Sequence, residues 1–297
     1  MKKPFFYLRI LSFNIFTNKG VFMNKIFTFL LLSTAYLSAG QGITNADDYQ
    51  KNSSLQWNWA MDSLKYISFE EFDQVLDVGS GDGKITAHIA DSIPNGKVVG
   101  MDISAEMVEK ASQYSSDKLS FIQGSATDIP FENQFDKIVS FNTLHWVKDQ
   151  SKALLAMKGA LKPFGTMLLT MPAKGPNNVF TVAETVATSD KWAPYFPTLS
   201  SERVYYTVEE YATLIEDASL RIELIEQTDN STIYANKFGL FMWLKPLINF
   251  IDHLDPALQL EFVQDVTTEF IHNNPPNPDG SITITHQKLL VIASKPL

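Results

Sequence analysis

Gln74-Val75-Leu76-Asp77-Val78-Gly79-Ser80-Gly81-Asp82-Gly83-Lys84-Ile85-Thr86 decides the fold. Val75, Leu76 and Val78 form a short apolar run of the buried-strand kind. Three glycines at alternate positions then let the backbone turn sharply and leave room for a ligand to lie against it. A helix starts at Lys84, and its first amides, which have no partner within the helix, face that ligand. Asp77, at the strand end, aims its charge at the same spot. Together these features predict a small-molecule site at the carboxyl end of the first strand of a parallel sheet.

Three glycine-rich loops compete for this stretch. A phosphate-binding P-loop needs G-x-x-x-x-G-K-[ST], but Val78 and Ile85 stand where the first glycine and the hydroxyl residue belong. The dinucleotide fingerprint G-x-G-x-x-G fits at Gly79 and Gly81 and fails at Lys84. What remains is D-x-G-x-G-x-G. An ordinary strand-to-helix turn does not need three glycines.

Working outward, strands and helices alternate. Strands are expected at 72–78, 97–101, 119–122, 135–140 and 166–171, with helices at 84–93, after Ser104 and at 153–161. Such alternation implies an α/β fold with a doubly wound parallel sheet and right-handed crossovers. Asp102 ends the second strand about twenty residues past the glycines, where an acid accepts hydrogen bonds from two ribose hydroxyls. Ser104 caps the next helix.

Beyond the core, residues 172–206 hold four prolines with Trp192, Tyr195 and Phe196 and read as a lid or substrate loop. A helix capped by Thr207 is expected at 208–218. A strand is expected at 221–234, a helical insertion at about 237–273 (helices 238–253 and 256–272), and two short closing strands at 281–285 and 289–294.

Charge and composition narrow the function classes. A net charge of −9 over 297 residues argues against nucleic acid as a partner, because neutralising phosphates needs a basic face. With no cysteine, disulfides, thiolate catalysis and cysteine-held zinc are excluded, and no metal site is expected. Five of the 24 basic residues (Lys2, Lys3, Arg9, Lys19, Lys25) precede the first acid, Asp47. Lys25 is followed by an uncharged run to Ala39 and a small-residue end at Ser38-Ala39-Gly40. Residues 1–40 therefore read as a leader of signal-peptide type, with Met23 an alternative start, then a cap helix within 41–70 and the catalytic domain at 71–297. No lasting membrane anchor is expected once the leader is removed. The leader implies export, or a cytoplasmic protein if it does not function. Oligomeric state is not legible.

The D-x-G-x-G-x-G loop resembles motif I of the class I S-adenosylmethionine-dependent methyltransferases. The resemblance extends through Phe135-Asp136-x-Ile138-Val139-Ser140-Phe141-x-x-Leu144-His145-Trp146-Val147 and Leu161-Lys162-Pro163-x-Gly165-Thr166. These segments look like the branch that methylates the carboxylates of trans-aconitate, malonyl carrier protein and juvenile hormone acid. The resemblance implies a Rossmann-like, mostly parallel, seven-stranded sheet with helical lid insertions, and S-adenosylmethionine as cofactor. It places Asp77, Gly79, Ser80, Gly81, Gly83, Asp102, Ile103, Ser125, Ala126 and Asn142 around that cofactor. At Ser125 the family often has an aspartate that contacts the adenine amino group, so the contact here is weaker or passes to Asp128 or to backbone.

The resemblance also implies Gln56 and Trp146 as neutral hydrogen-bond donors to a substrate carboxylate, with His145 beside them. A carboxylate is already ionised at neutral pH, so no general base is required. The expected partner is a small-molecule acid. Methylation of carbon, nitrogen or a phenol oxygen stays open, because one core serves all these reactions. So does a non-catalytic S-adenosylmethionine binder.

Overall fold

The computed structural model describes residues 54–175, 177–199, 203–245 and 247–297. The leader lies outside the described residues, as does the side chain of Gln56. No helix among the described residues is long and apolar enough to cross a membrane.

Helix α1 (Ser54–Leu64) precedes the sheet. Then follow β1 (Gln74–Val78), α2 (Lys84–Asp91), β2 (Lys97–Asp102), α3 (Ala105–Ala111) and β3 (Leu119–Gln123). The second half of the parallel core is β4 (Phe135–Phe141), α4 (Gln150–Ala160) and β5 (Leu161–Pro172). The remainder is α5 (Val179–Ala187), α6 (Val208–Asp217), β6 (Arg221–Tyr234), α7 (Lys237–Leu244), α8 (Pro256–Asn273) and β7 (Ile282–Ser294). The sheet has seven strands in the order β3-β2-β1-β4-β5-β7-β6. All pairings are parallel up to β5, and β7 runs antiparallel to both β5 and β6.

Burial on both faces explains the apolar run in β1. Leu76 and Val78 join Met157, Tyr211 and Ile215 under α4 and α6, while Val75 joins Ala60, Ile89 and Ile93 under α1 and α2. Strands covered on both sides read as continuous hydrophobic runs rather than alternating ones. Helix starts follow local chemistry. The Met107 N–H donates to Ser104 Oγ at 3.3 Å and the Lys152 N–H to Asp149 Oδ1 at 2.9 Å. Thr207 and Glu210 close a reciprocal capping box on α6. Each such cap contributes about 1 kcal/mol.

Three expectations are corrected. The two short closing strands are one continuous strand, β7, because β6 lies alongside without interruption, pairing Asp229 with Gln287 and Thr228 with Lys288. The helix expected at 238–253 ends at Leu244, just before Pro246, a residue with no N–H for the helical ladder; a short 3-10 turn at Asn249–Ile251 follows. The 172–206 loop contains α5, whose start is capped by Asn178 Oδ1 and whose Val179, Val182, Ala183 and Val186 are buried.

That helix belongs to a second core. Pairing between β5 and β7 stops at Pro172–Lys288, whereas β6 and β7 continue to Tyr234–Ile282. The overhanging ribbon contributes Tyr234, Ile282 and Ile284 to a cluster with α5, α7 and α8. Trp192 sits inside this cluster, its indole N–H donating to Asp265 Oδ2 at 2.8 Å. Trp57 edges onto His88, the Trp59 ring lies 6.0 Å from Lys288 Nζ, and Trp243 joins Trp192 in the second core.

Candidate functional site

In the observed strand order β2 and β4 flank β1, so the direction of winding reverses between β1 and β4. Open parallel sheets bind ligands at that crevice, at the carboxyl ends of the strands. The loop from Gly79 to Gly83 sits there. Its Gly79 and Ser80 N–H groups donate to Met101 O at 2.7 and 3.0 Å, which fastens the loop to the end of β2. Gly79, Gly81 and Gly83 have φ of 82, 53 and 82°, values that glycine adopts without penalty. A Cβ on Gly79 would lie 2.1 Å from Thr143 Oγ1, so this glycine is also required for the close approach of the β4 loop.

Two carboxylates face the loop, Asp77 and Asp102, both expected there from the sequence. Asp102 Oδ2 accepts the Gly81 N–H and Oδ1 accepts the Ser104 N–H, both at 2.9 Å. Burial raises the Asp102 pKa, against the pull of these amides. Each carboxylate oxygen keeps a further lone pair for a ligand hydroxyl. Asp77 is buried, and the Thr86 hydroxyl donates to its Oδ2 at 2.6 Å. Burial pushes its pKa up to about 7, opposed by Thr86 and reinforced by the charge of Asp102.

The remaining expected cofactor residues ring the same crevice. Ile103, directly after β2, is 45% exposed. Ala126 is buried within the main core. Ser125 Oγ lies 3.0 Å from Thr127 Oγ1, and the Asp128 N–H closes a turn onto Ser125 O. Asn142 follows β4 with a positive φ of 51°, its N–H donating to Thr170 O at 2.8 Å. Its Nδ2 is buried with no hydrogen-bond partner, and so are Ser80 Oγ and Thr170 Oγ1. Orphaned buried polar atoms gathered at one place require a ligand or water to satisfy them.

These residues fit S-adenosylmethionine. Asp102 has acceptor capacity for a ribose diol. Ile103 presents an apolar face suited to a base. Asn142 Nδ2 and Ser80 Oγ offer polar atoms suited to the charged methionyl end. Thr86, Thr143 and Thr170 were not expected here. Thr143 Oγ1 lies 3.2 Å from Gly79 O, which ties the β4 loop to the glycine loop.

That β4 loop carries two of the three residues expected at the substrate end, His145 and Trp146, in a 3-10 turn at Leu144–Trp146. His145 is buried, its Nδ1 has no partner, and its ring stacks on Tyr205 with centroids 6.0 Å apart. Burial, assisted by the nearby positive charge of Arg203, lowers its pKa to about 3. The imidazole is therefore neutral at physiological pH. The Arg203 guanidinium lies between two rings, 3.8 Å from the centroid of Trp146 and 3.4 Å from that of Phe180. The Val204 N–H donates to His145 O at 2.9 Å and anchors this segment to the turn. No local pattern marks Arg203, since the two rings it stacks on lie 57 and 23 residues upstream. Gln56 belongs to α1, with its side chain outside the described residues.

A model of the methyltransferase domain family matches residues 70–232. The juvenile hormone acid O-methyltransferase of Bombyx mori is 33% identical over 162 residues, which cover 50% of this chain and 57% of that protein. The match thus spans little more than half the length of this relative. A trans-aconitate 2-methyltransferase of Methylobacterium radiotolerans is 26% identical over 242 residues, covering 80% of this chain and 92% of the other. Among solved structures, the YcgJ protein of Bacillus subtilis superposes with a TM-score of 0.62 at 19% identity, covering 81% of this chain and 99% of that one.

Proposed function

Because the chain belongs to the methyltransferase domain family, as a class I S-adenosylmethionine-dependent enzyme, we propose that it O-methylates the carboxylate of a small or lipid-like organic acid, without a general base. The observation that carries this reading is the state of His145. It is the imidazole of the β4 loop, and with a pKa lowered to about 3 it does not take up a proton at neutral pH. Asp77 and Asp102 are both engaged by the glycine loop and its helix. An acceptor that arrives already ionised suits such a site, and a carboxylate does so. The names of the two curated relatives, which refer to carboxylic acids, agree with this class.

Bound S-adenosylmethionine supplies a methyl group made electrophilic by its sulfonium. Gly79, Ser80, Gly81, Asp102, Ile103 and Asn142 hold it in this reading. The Trp146 indole N–H and neutral His145 orient the acceptor oxygen, with Gln56 of α1 as a further amide donor. Neutral donors direct an anion without quenching its lone pairs. Segment 172–206 and the insertion at 237–273 shape the acceptor end and exclude water. Holding the two reactants in line can contribute roughly 7–11 kcal/mol towards the barrier.

A methyl-labelled donor assay against aliphatic, tricarboxylic and isoprenoid acids tests the reading. The expected product is a methyl ester that releases its label in alkali. An alkali-stable product would assign transfer to carbon, nitrogen or a phenol instead.

A further inference from the structure

The face of the β6–β7 ribbon that packs under α1 changes character along its length. Leu290 belongs to the core beneath α1, and Ile284 and Ile282 belong to the second core. Between them, at alternate positions that share one face, stand Lys288 and His286. Directly across the antiparallel pair are Thr228 and Asn230, so the four side chains form one polar patch between two apolar ones. Lys288 is buried; its Nζ donates to Ser63 Oγ at 3.1 Å, and the Trp59 ring lies 6.0 Å away. That bond fixes α1 against the ribbon. His286 is 8% exposed, with its ring 5.2 Å from that of Trp243 in α7. Burial lowers the His286 pKa, so the ring is neutral at physiological pH. Its Nε2 is buried with no hydrogen-bond partner, and so is Thr228 Oγ1. Leaving two such atoms unpaired is costly, and they stand at diagonal positions of one face, within reach of a single bound group.

We infer that Thr228 and His286 bind a hydroxyl group at the far end of the acceptor, so that the site prefers hydroxy acids over the same acids without the hydroxyl. This inference rests on the carboxylate reading above. Position supports it. Thr170, whose Oγ1 is also unpartnered and whose carbonyl holds the Asn142 amide, pairs with Leu290, and Pro172 pairs with Lys288. The patch therefore begins one step, about 7 Å, along the same face from the donor crevice. Helix α1, which carries Gln56, also supplies Trp59 and Ser63 to it. Ser63 lies two turns beyond Gln56, roughly 10 Å along the helix axis. Chemistry selects the hydroxyl. The neutral imidazole offers Nε2 as donor in one tautomer and as acceptor in the other, and threonine offers both. An alcohol both donates and accepts, so it satisfies the two atoms in either tautomer; a carbonyl fails when Nε2 carries no proton. The Lys288 ammonium beside them disfavours a cationic group at the same place.

Decanoate and ω-hydroxydecanoate, whose extended chains are of that length, make the test, with the octanoate and dodecanoate pairs alongside. Binding is measured by calorimetry on the full chain with S-adenosylhomocysteine present, together with kcat/KM for methylation of each acid. Wild type is expected to favour the hydroxy acid at least tenfold in the best pair, because the plain acid leaves both buried atoms unpaired. Thr228→Val and His286→Phe should each remove most of that ratio, the second while keeping a ring against Trp243. Thr228→Ser, which keeps the hydroxyl, should retain it. A merely structural role would lower both acids in proportion and leave the ratio as in wild type. That result would overturn the inference, as would a wild type that uses both members of every pair equally. Carboxylate methylation would stand in both cases. Failure of wild type to bind or methylate any acid would instead overturn the carboxylate reading, and this inference with it.

Discussion

Asp102 and Gly81 are joined by a 2.9 Å hydrogen bond from the glycine amide to Oδ2, which locks the end of β2 to the middle of the ligand loop. Asp102 thereby has two duties, shaping the loop and presenting lone pairs to the ligand. Replacing Asp102 with Ala should weaken S-adenosylmethionine binding by at least tenfold in calorimetry. Asp102→Asn should fall between, since an amide oxygen can still accept one of the two bonds. Unchanged affinity in the alanine variant would remove the ribose assignment.

Gly79 and Gly81 should differ in their tolerance of a methyl group. At Gly81 the cost is backbone strain, since φ of 53° is left-handed and an L residue there costs about 1–2 kcal/mol. At Gly79 the same kind of strain is joined by a collision, a Cβ 2.1 Å from Thr143 Oγ1. Gly79→Ala should therefore lower the melting temperature and donor affinity more than Gly81→Ala. Adding Thr143→Gly to Gly79→Ala should restore part of the loss. If it restored none, the contact between the two loops would not be the cause.

Acid titration should show two opposed buried groups. Burial pushes the Asp77 pKa up to about 7 from its ordinary 3.8, so its neutral form is favoured in the fold. Its contribution is greatest below about pH 4 and is lost as pH rises towards 7. His145 has a lowered pKa of about 3, against 6.5, so its contribution is complete above pH 6.5 and is lost as pH falls. Between about pH 4 and 6.5 the two slopes oppose one another. Asp77→Asn should leave a protein that loses stability more steeply on acidification than wild type, and His145→Gln one that gains. Each change should be on the order of 2–4 kcal/mol across the window. Denaturant melts at pH 4.5 and 6.5 give the comparison, and parallel pH profiles for all three proteins would contradict the burial of both groups.

Trp192 should be a stability residue and not a substrate contact. It lies in the second core with its indole N–H on Asp265, which also accepts from Lys191 Nζ at 2.6 Å. Trp192→Phe keeps the ring and deletes the donor, and it should cost about 1–2 kcal/mol in denaturant unfolding. Donor affinity and the KM for the acid should stay within twofold. A selective rise in KM would return Trp192 to the acceptor site.

What could be read in advance follows the range of the interactions. The five parallel strands, the Ser104 and Thr207 caps and the glycine loop depend on neighbours within a few residues, and all were legible. The whole span of β6 was legible too, because its alternation is a local pattern. The continuity of β7 through His286-Gln287-Lys288 was not, since three polar residues in a row look like a turn until β6 is seen pairing beside them. Helix α5 carried its own signal, an Asn cap and apolar residues at i, i+3, i+4 and i+7, but it lies in a segment with four prolines, residues that disfavour helix. Arg203 and Thr143 act on residues more than twenty positions away in sequence, and no spacing rule connects them to those partners.

The overhang of β6 and β7 beyond Pro172 has an evolutionary consequence. The glycine loop, Asp102 and Asn142 sit at the ends of β1, β2 and β4, strands whose neighbours are fixed on both sides. The helices of the second core hang from a two-stranded ribbon that answers to no third strand. Insertions, deletions or wholesale replacement there would leave the register of the donor half untouched. A lineage built on this plan can exchange its acceptor repertoire by swapping what the ribbon carries, while inheriting the donor half unaltered.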